Sequence, residues 1–174
     1  MTLQDELAAR LSGRTVVVGV GNPLRGDDAA GCLLARRMRD TPDVRVIEAE
    51  EIPESFVGDI AAAAPNVVVL VDAVDLGALP GTVAVLETDD VAAYAPTTHR
   101  LALSLVMDVV QRRTGADVFL IAVQPLNLAF GAPVTPQVGA GVELLAGVLS
   151  ELLRAPCGRQ AAMAATPAPD EAPA

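Results

Sequence analysis

A mostly parallel α/β sheet covered by helices on both faces is the fold this sequence predicts, on three observations. Three runs, TVVVGV (Thr15–Val20), NVVVLVDA (Asn66–Ala73) and ADVFLIAVQP (Ala116–Pro125), are too continuously aliphatic for strands with one wet face. Stretches of helical periodicity alternate with these runs along the chain. The length, 174 residues, suits one hydrophobic core.

Each element has a local reason. Leu3–Leu11 has the spacing of a short amphipathic helix, which Gly13 ends. Thr15–Val20 is a β-branched strand. From Asp27, DAAGCLLARRMRD places apolar side chains at helical spacing with an aspartate available as cap. Asp43–Ala49 alternates as a second strand, and Glu54–Ala64 is a weaker helix closed by Pro65. After the third strand, LPGTVAVLE joins a Pro-Gly turn to an alternating segment, which suits an antiparallel, more exposed strand. A loop through Tyr94 and Pro96 leads to the amphipathic helix THRLALSLVMDVVQRR, then to the fifth strand. GAPVTP precedes a last long helix, QVGAGVELLAGVLSELLR. Residues 1–156 read as one domain. The Ala/Pro-rich residues 157–174 have few bulky apolar groups and read as a disordered tail.

Composition narrows the function. Twelve basic and 22 acidic side chains give a net charge of −10, which repels a phosphate backbone and makes nucleic acid a poor partner. Two cysteines, Cys32 and Cys157, form no CxxC pair and no disulfide framework. The start, MTLQDELAARLSG, carries acids ahead of its apolar stretch and does not read as a signal peptide. No apolar run is long enough to cross a bilayer. The cytoplasm is the expected compartment, with no membrane insertion.

Ligands of open α/β sheets collect beyond the carboxyl ends of the strands. Two carboxylates fall there: Asp28, just after the first strand, and Asp72, at the end of the third. The stretch GVGNPLRGDDAAG begins like a dinucleotide-binding turn, with Gly19 and Gly21. Its sixth position is Leu24, however, and Asp27 and Asp28 aim negative charge where a pyrophosphate wants bare N–H groups. A structural turn explains both glycines as well. GxSxG, HExxH and a P-loop lysine are all missing. Ser104 lies within a helix pattern, where a hydroxyl commonly bonds backbone. His99, the single histidine, rides the first turn of a helix. There the positive helix end favours its neutral, metal-binding form. A lone histidine is usually structural, but two carboxylates and an imidazole supply three ligands to a borderline divalent ion, with positions left for water or substrate.

In this order these residues resemble the hydrogenase maturation endopeptidases, which remove a C-terminal extension from the large subunit of nickel–iron hydrogenases. GVGNPLRGDDAAG is similar to their strand exit and acidic pair. LVDAVD resembles their strand-terminal Asp-Ala element, THRLAL their histidine-bearing helix start, and VQPLNLAFGAPVTPQV their C-terminal portion. The resemblance implies a three-layer αβα fold around a five-stranded twisted sheet. It assigns metal contact to Asp28, Asp72 and His99, with Gly19, Gly21, Asn22 and Asp27 in support and Asp75 outside the metal's immediate ligands. Glu48, Glu50, Pro53 and Gln124 are candidates for a substrate-facing loop. One segment departs: EAEEIPESF (Glu48–Phe56) stands where many members carry Asp-Gly-Gly-Thr, a bulkier and more charged loop.

The implied substrate is a nickel-loaded large-subunit precursor, with the metal supplied by that precursor and cadmium or zinc as ions able to take the site in vitro. Two mechanisms stay open at this level. One is a water activated by metal or carboxylate; the other is an aspartyl-protease-like pair in which Asp28 and Asp72 act as general base and acid. Two rival functions also stay open: a nucleotide-dependent α/β enzyme, and a noncatalytic hydrogenase-assembly binding protein.

Overall fold

A computed structural model describes residues 2–93 and 98–154, with side chains throughout except at 92–93 and 98–101. The expected tail at 157–174 and the loop through Tyr94 and Pro96 lie outside these residues. In chain order the elements are α1 (Leu3–Arg10), β1 (Thr15–Val20), α2 (Ala30–Met38), β2 (Arg45–Glu50), α3 (Val57–Ala62) and β3 (Val67–Ala73), followed by β4 (Val83–Leu86), α4 (Thr88–Ala93), α5 (Thr98–Thr114), β5 (Asp117–Val123) and α6 (Pro136–Arg154). Short 3-10 turns at Gly26–Ala29 and Pro53–Phe56 lead into α2 and α3.

The five strands form one mixed sheet in the order β2-β1-β3-β5-β4. Every pairing is parallel except that of β4 with β5, as the Pro-Gly turn and alternation ahead of β4 predict. Side chains on successive strand residues point to opposite faces, and this parity builds two cores. Val16, Val18, Val68, Leu70, Leu120 and Ala122 face α3, α4 and α5, packing with Ile60, Val91, Leu103 and Met107. Val17, Val67, Val69, Val71, Phe119 and Ile121 face α1, α2 and α6, packing with Leu7, Leu34, Met38, Val142 and Leu149. Burial on both faces explains why these strands carry no alternation of polar residues.

Three local readings are corrected. The helix expected from Asp27 starts at Ala30, after a 3-10 turn, and its first residue has no side-chain cap. The helix expected from Glu54 is a 3-10 turn followed by only six α-helical residues. The segment after β4 contains α4, where a loop was expected. α4 is held by its own turn chemistry, with Glu87 N–H donating to Asp90 Oδ2 at 3.0 Å. Only Val91 of its described side chains enters the core, so the sequence carries no periodic apolar signal there.

Candidate active site

The connections of β1 and β3, neighbours in the sheet, leave in opposite directions: β1 leads to β2 at one side, and β3 leads toward β4 and β5 at the other. A crevice opens at such a switch point beyond the carboxyl ends of the strands. Asp28 follows β1 and Asp72 is the last residue but one of β3, so both acids stand at this edge of the sheet.

Gly21 brings them together. Its N–H donates to the Glu50 carbonyl at 2.9 Å, and its φ of 126° is one that L side chains rarely adopt. A Cβ at this position would overlap the backbone carbonyl oxygen of Asp28 and sit 3.6 Å from Asp72 Oδ1. The bare glycine therefore lets the Asp28 turn close down beside the Asp72 carboxylate. Asp72 is 2% exposed, and its Oδ1 accepts the Ala73 N–H at 2.8 Å. Asp28 is half-buried, and its Oδ2 accepts the Asn22 N–H at 3.2 Å. Gly19 has another task. A Cβ there would strike the Gly31 carbonyl and Ala35, and one on Gly31 would strike the carbonyls of Val20 and Val71. These two glycines let α2 lie against the β1–β3 crevice, a packing role that needs no nucleotide.

The His99 backbone reaches the same edge by connectivity. α5 ends at Thr114, just before β5 begins at Asp117, and Asp117 pairs with Val67 at the amino edge of the sheet. A 17-residue helix spans about 25 Å, which returns its first turn, Thr98 and His99, to the carboxyl edge. α5 covers the face toward which the even-numbered residues of β3 point, the parity of Asp72. The His99 imidazole and its expected Thr cap lie outside the described side chains. Among the described residues no three His, Cys, Asp or Glu side chains form a metal-holding group.

Asp27 does something the sequence did not disclose. Instead of capping α2, its buried carboxylate accepts the N–H groups of Leu126 (2.9 Å), Asn127 (3.0 Å) and Thr135 (2.7 Å), and the Thr135 hydroxyl at 3.0 Å. Burial pushes this carboxyl up. The bonds from Thr135, Asn127 and Leu126 outweigh burial and hold it below its ordinary value. The partners are 99 to 108 residues away in sequence, so no local spacing announces them.

The four substrate-loop candidates have separate positions. Glu48 accepts from Arg36 Nε at 2.9 Å and lies on the α2 side of the sheet, away from the face of Asp72. Glu50 is exposed, at a φ of 50° beside a bulge opposite Gly19 and Val20. Pro53 is buried where it opens the 3-10 turn before α3. Gln124 is a staple for the segment after β3: its Oε1 accepts from Leu76 N–H at 2.6 Å and Ala78 N–H at 3.2 Å, and its Nε2 donates to Asp75 Oδ1 at 3.2 Å. Asp75 is exposed and also accepts the Gly77 N–H at 3.1 Å. Cys32 is buried behind the crevice, with Sγ donating to the Gly21 carbonyl at 3.3 Å. Burial pushes its thiol up to about 12.

Fold and site together define a class: an α/β protein whose switch-point crevice presents carboxylate oxygens where dinucleotide enzymes present a phosphate cradle. The hydrogenase maturation protease family model matches residues 31–151. The hydrogenase 3 maturation protease of Escherichia coli K12 is 34% identical over 131 residues, 74% of this chain and 83% of that protein. The crystal structure of a nickel–iron hydrogenase maturation protease from Thermococcus kodakarensis superposes with a TM-score of 0.79 at 36% identity, covering 85% of this chain and 98% of that one. The solution structure of an Escherichia coli endopeptidase, HycI, gives a TM-score of 0.73 at 31% identity, over 80% and 90% of the two chains. The chain belongs to the hydrogenase maturation protease family and is a peptidase of that kind; the nucleotide-dependent and noncatalytic readings are not favoured.

Proposed function

We propose that this protease removes the C-terminal extension of a nickel–iron hydrogenase large-subunit precursor that already carries nickel, with Asp28, Asp72 and His99 addressing the metal and the scissile bond. The observation that carries this reading is the meeting of the Asp28 backbone and the Asp72 carboxylate at Gly21, at the carboxyl edge of the sheet. Nickel enters as cargo of the substrate. Asp72, buried and oriented by the Ala73 N–H, suits a fixed oxygen donor to it. Asp28, half-buried at the crevice mouth, suits a general base that takes a proton from the attacking water and returns it to the departing amine. His99, on the first turn of α5, supplies the third donor of this reading, an imidazole nitrogen. Gating by nickel follows: without the metal, the ligand set has nothing to hold and the peptide is not positioned. Among the described residues no helix is long and apolar enough to cross a membrane, and the work is expected in the cytoplasm.

The test incubates the protein with nickel-loaded and nickel-free precursor and measures the mass of the large subunit. Trimming of the loaded form alone is expected, and equal trimming of both would remove the metal from the reading. Zinc or cadmium added to the enzyme alone should bind through the same donors, as read by calorimetry on wild type and Asp72→Ala.

A further inference from the structure

Next to the carboxylates lies a surface that this chemistry leaves unused. The segment from Asn22 to Asp27 runs antiparallel to the loop after β5. Gly131 N–H donates to Leu24 O at 2.7 Å, Arg25 Nε to Leu128 O at 3.4 Å, and Asp27 N–H to Asn127 O at 2.9 Å. From this seam four large apolar side chains enter solvent: Leu24 is 60% exposed, Leu126 58%, Leu128 41% and Phe130 77%. Pro125–Pro136, PLNLAFGAPVTP, contains no charged residue in a chain that is 20% charged. The lip's one charged group facing solvent is Arg25.

Large apolar side chains exposed together along one short seam mark a surface that something covers. This one is also held in shape. The Asp27 carboxylate ties both of its segments, so little ordering is left to do on binding. It is continuous with the candidate active site, because Asp28 follows Asp27 and bonds the Asn22 N–H. The net charge of −10, with Asp28 and Asp72 adjacent, disfavours an acidic occupant.

We propose that this lip, Leu24, Leu126, Leu128 and Phe130 with Arg25, is the docking surface for the protein substrate. It takes an apolar segment without acidic side chains, next to the scissile bond of the large-subunit precursor. The proposal rests on the precursor-processing reading. Affinity comes from burying the four side chains, and the bond-breaking groups stay separate from it.

The experiment uses the full chain, unmodified and as Phe130→Asp, Leu126→Asp and their double variant, with milder Leu126→Ser and Phe130→Ser forms. Leu144→Asp is the control, since Leu144 is 73% exposed on α6. Circular dichroism confirms folding, and the serine forms carry the test if an aspartate disturbs it. Against a nickel-loaded precursor that the unmodified protein trims, the double variant should raise KM about tenfold or more with kcat nearly unchanged. The Leu144→Asp control should leave both constants alone. An unchanged KM would overturn the lip. So would a dimer of the unmodified protein that the variant dissolves, or vesicle binding that it abolishes while precursor affinity holds. If the unmodified protein trims no precursor, the processing reading fails. The lip is then judged by calorimetric binding of the same precursor, where loss in the double variant supports it and equal or absent binding overturns it.

Discussion

At the scale of single residues, Gly21 and Asp27 do more to shape the crevice than their neighbours suggest. Gly21→Ala places a methyl group on the Asp28 carbonyl, at a φ that disfavours any side chain. It should lower the thermal midpoint and displace the Asn22–Asp28 contact, checked by calorimetry and by the shift of the Asn22 amide. Asp27→Asn keeps the shape but turns an acceptor of several N–H groups into a group that itself donates. At least one buried donor is left unmatched, and a loss of about 3 kcal/mol should appear in denaturant unfolding. Thr135→Val should cost less, because its hydroxyl is one of several donors to that carboxylate. Cys32 yields a pH prediction with a definite sign. Its thiol is an acid with a folded-state value raised to about 12, so it stays neutral where an unfolded-chain thiol ionises near 8.5. Its contribution to stability is complete below that lower value and is lost as pH rises toward 12. At pH 8 a thiol reagent should leave Cys32 untouched in the native protein and modify it in denaturant. The placement of Asp28 and Asp72 at the carboxyl ends of β1 and β3 was legible from position alone, because strand ends announce themselves. The role of Asp27 was not, because its partners come from the far end of the chain.

Elements show the same division between local and distant causes. β1, β3 and β5 were legible because central strands buried on both faces must be uninterruptedly apolar, and their valines leave no alternative. α5 and α6 were legible through length and periodicity. The 3-10 turns before α2 and α3 were not, since short tight turns share their composition with helix starts. α4 escaped because its described side chains give the core little beyond Val91. The most consequential element that the sequence left unread is the loop between β5 and α6. Its apolar residues look like core, yet the fold turns them outward and fixes them with the Asp27 carboxylate. Cutting that tether should free the loop while sparing the sheet. In Asp27→Ala, hydrogen exchange should accelerate at Leu126, Asn127 and Thr135 by about tenfold or more, while Val69 and Ile121, in central strands, keep their protection. Uniform acceleration across the sheet would mean that the tether supports the whole fold.

For the molecule as a whole, the sheet separates stability from chemistry. Two apolar cores, one on each face, hold the five strands, while the proposed reacting groups sit on the rim where loops leave. Neither Asp28 nor Asp72 is one of the apolar residues of the two cores, so loss of either carboxylate removes a proton acceptor or a metal donor and leaves those apolar contacts in place. Asp28→Ala and Asp72→Ala should therefore stay folded by circular dichroism and lose processing of nickel-loaded precursor by about a hundredfold or more. Asp28 should act mainly through the chemical step. Asp72 should act through metal contact, so its variant should also lose zinc or cadmium binding. Asp75→Ala should be mild, because Asp75 meets the Gly77 amide and Gln124 at the surface. His99→Ala tests whether the start of α5 joins the site that its backbone approaches. A folded His99→Ala protein that trims the precursor at the normal rate would exclude the imidazole. Loss of trimming, restored in part by a ligating His99→Cys, would assign it a metal contact. Processing, read as the mass of the large subunit, decides among these variants better than metal affinity of the isolated enzyme, since the proposed metal arrives on the substrate.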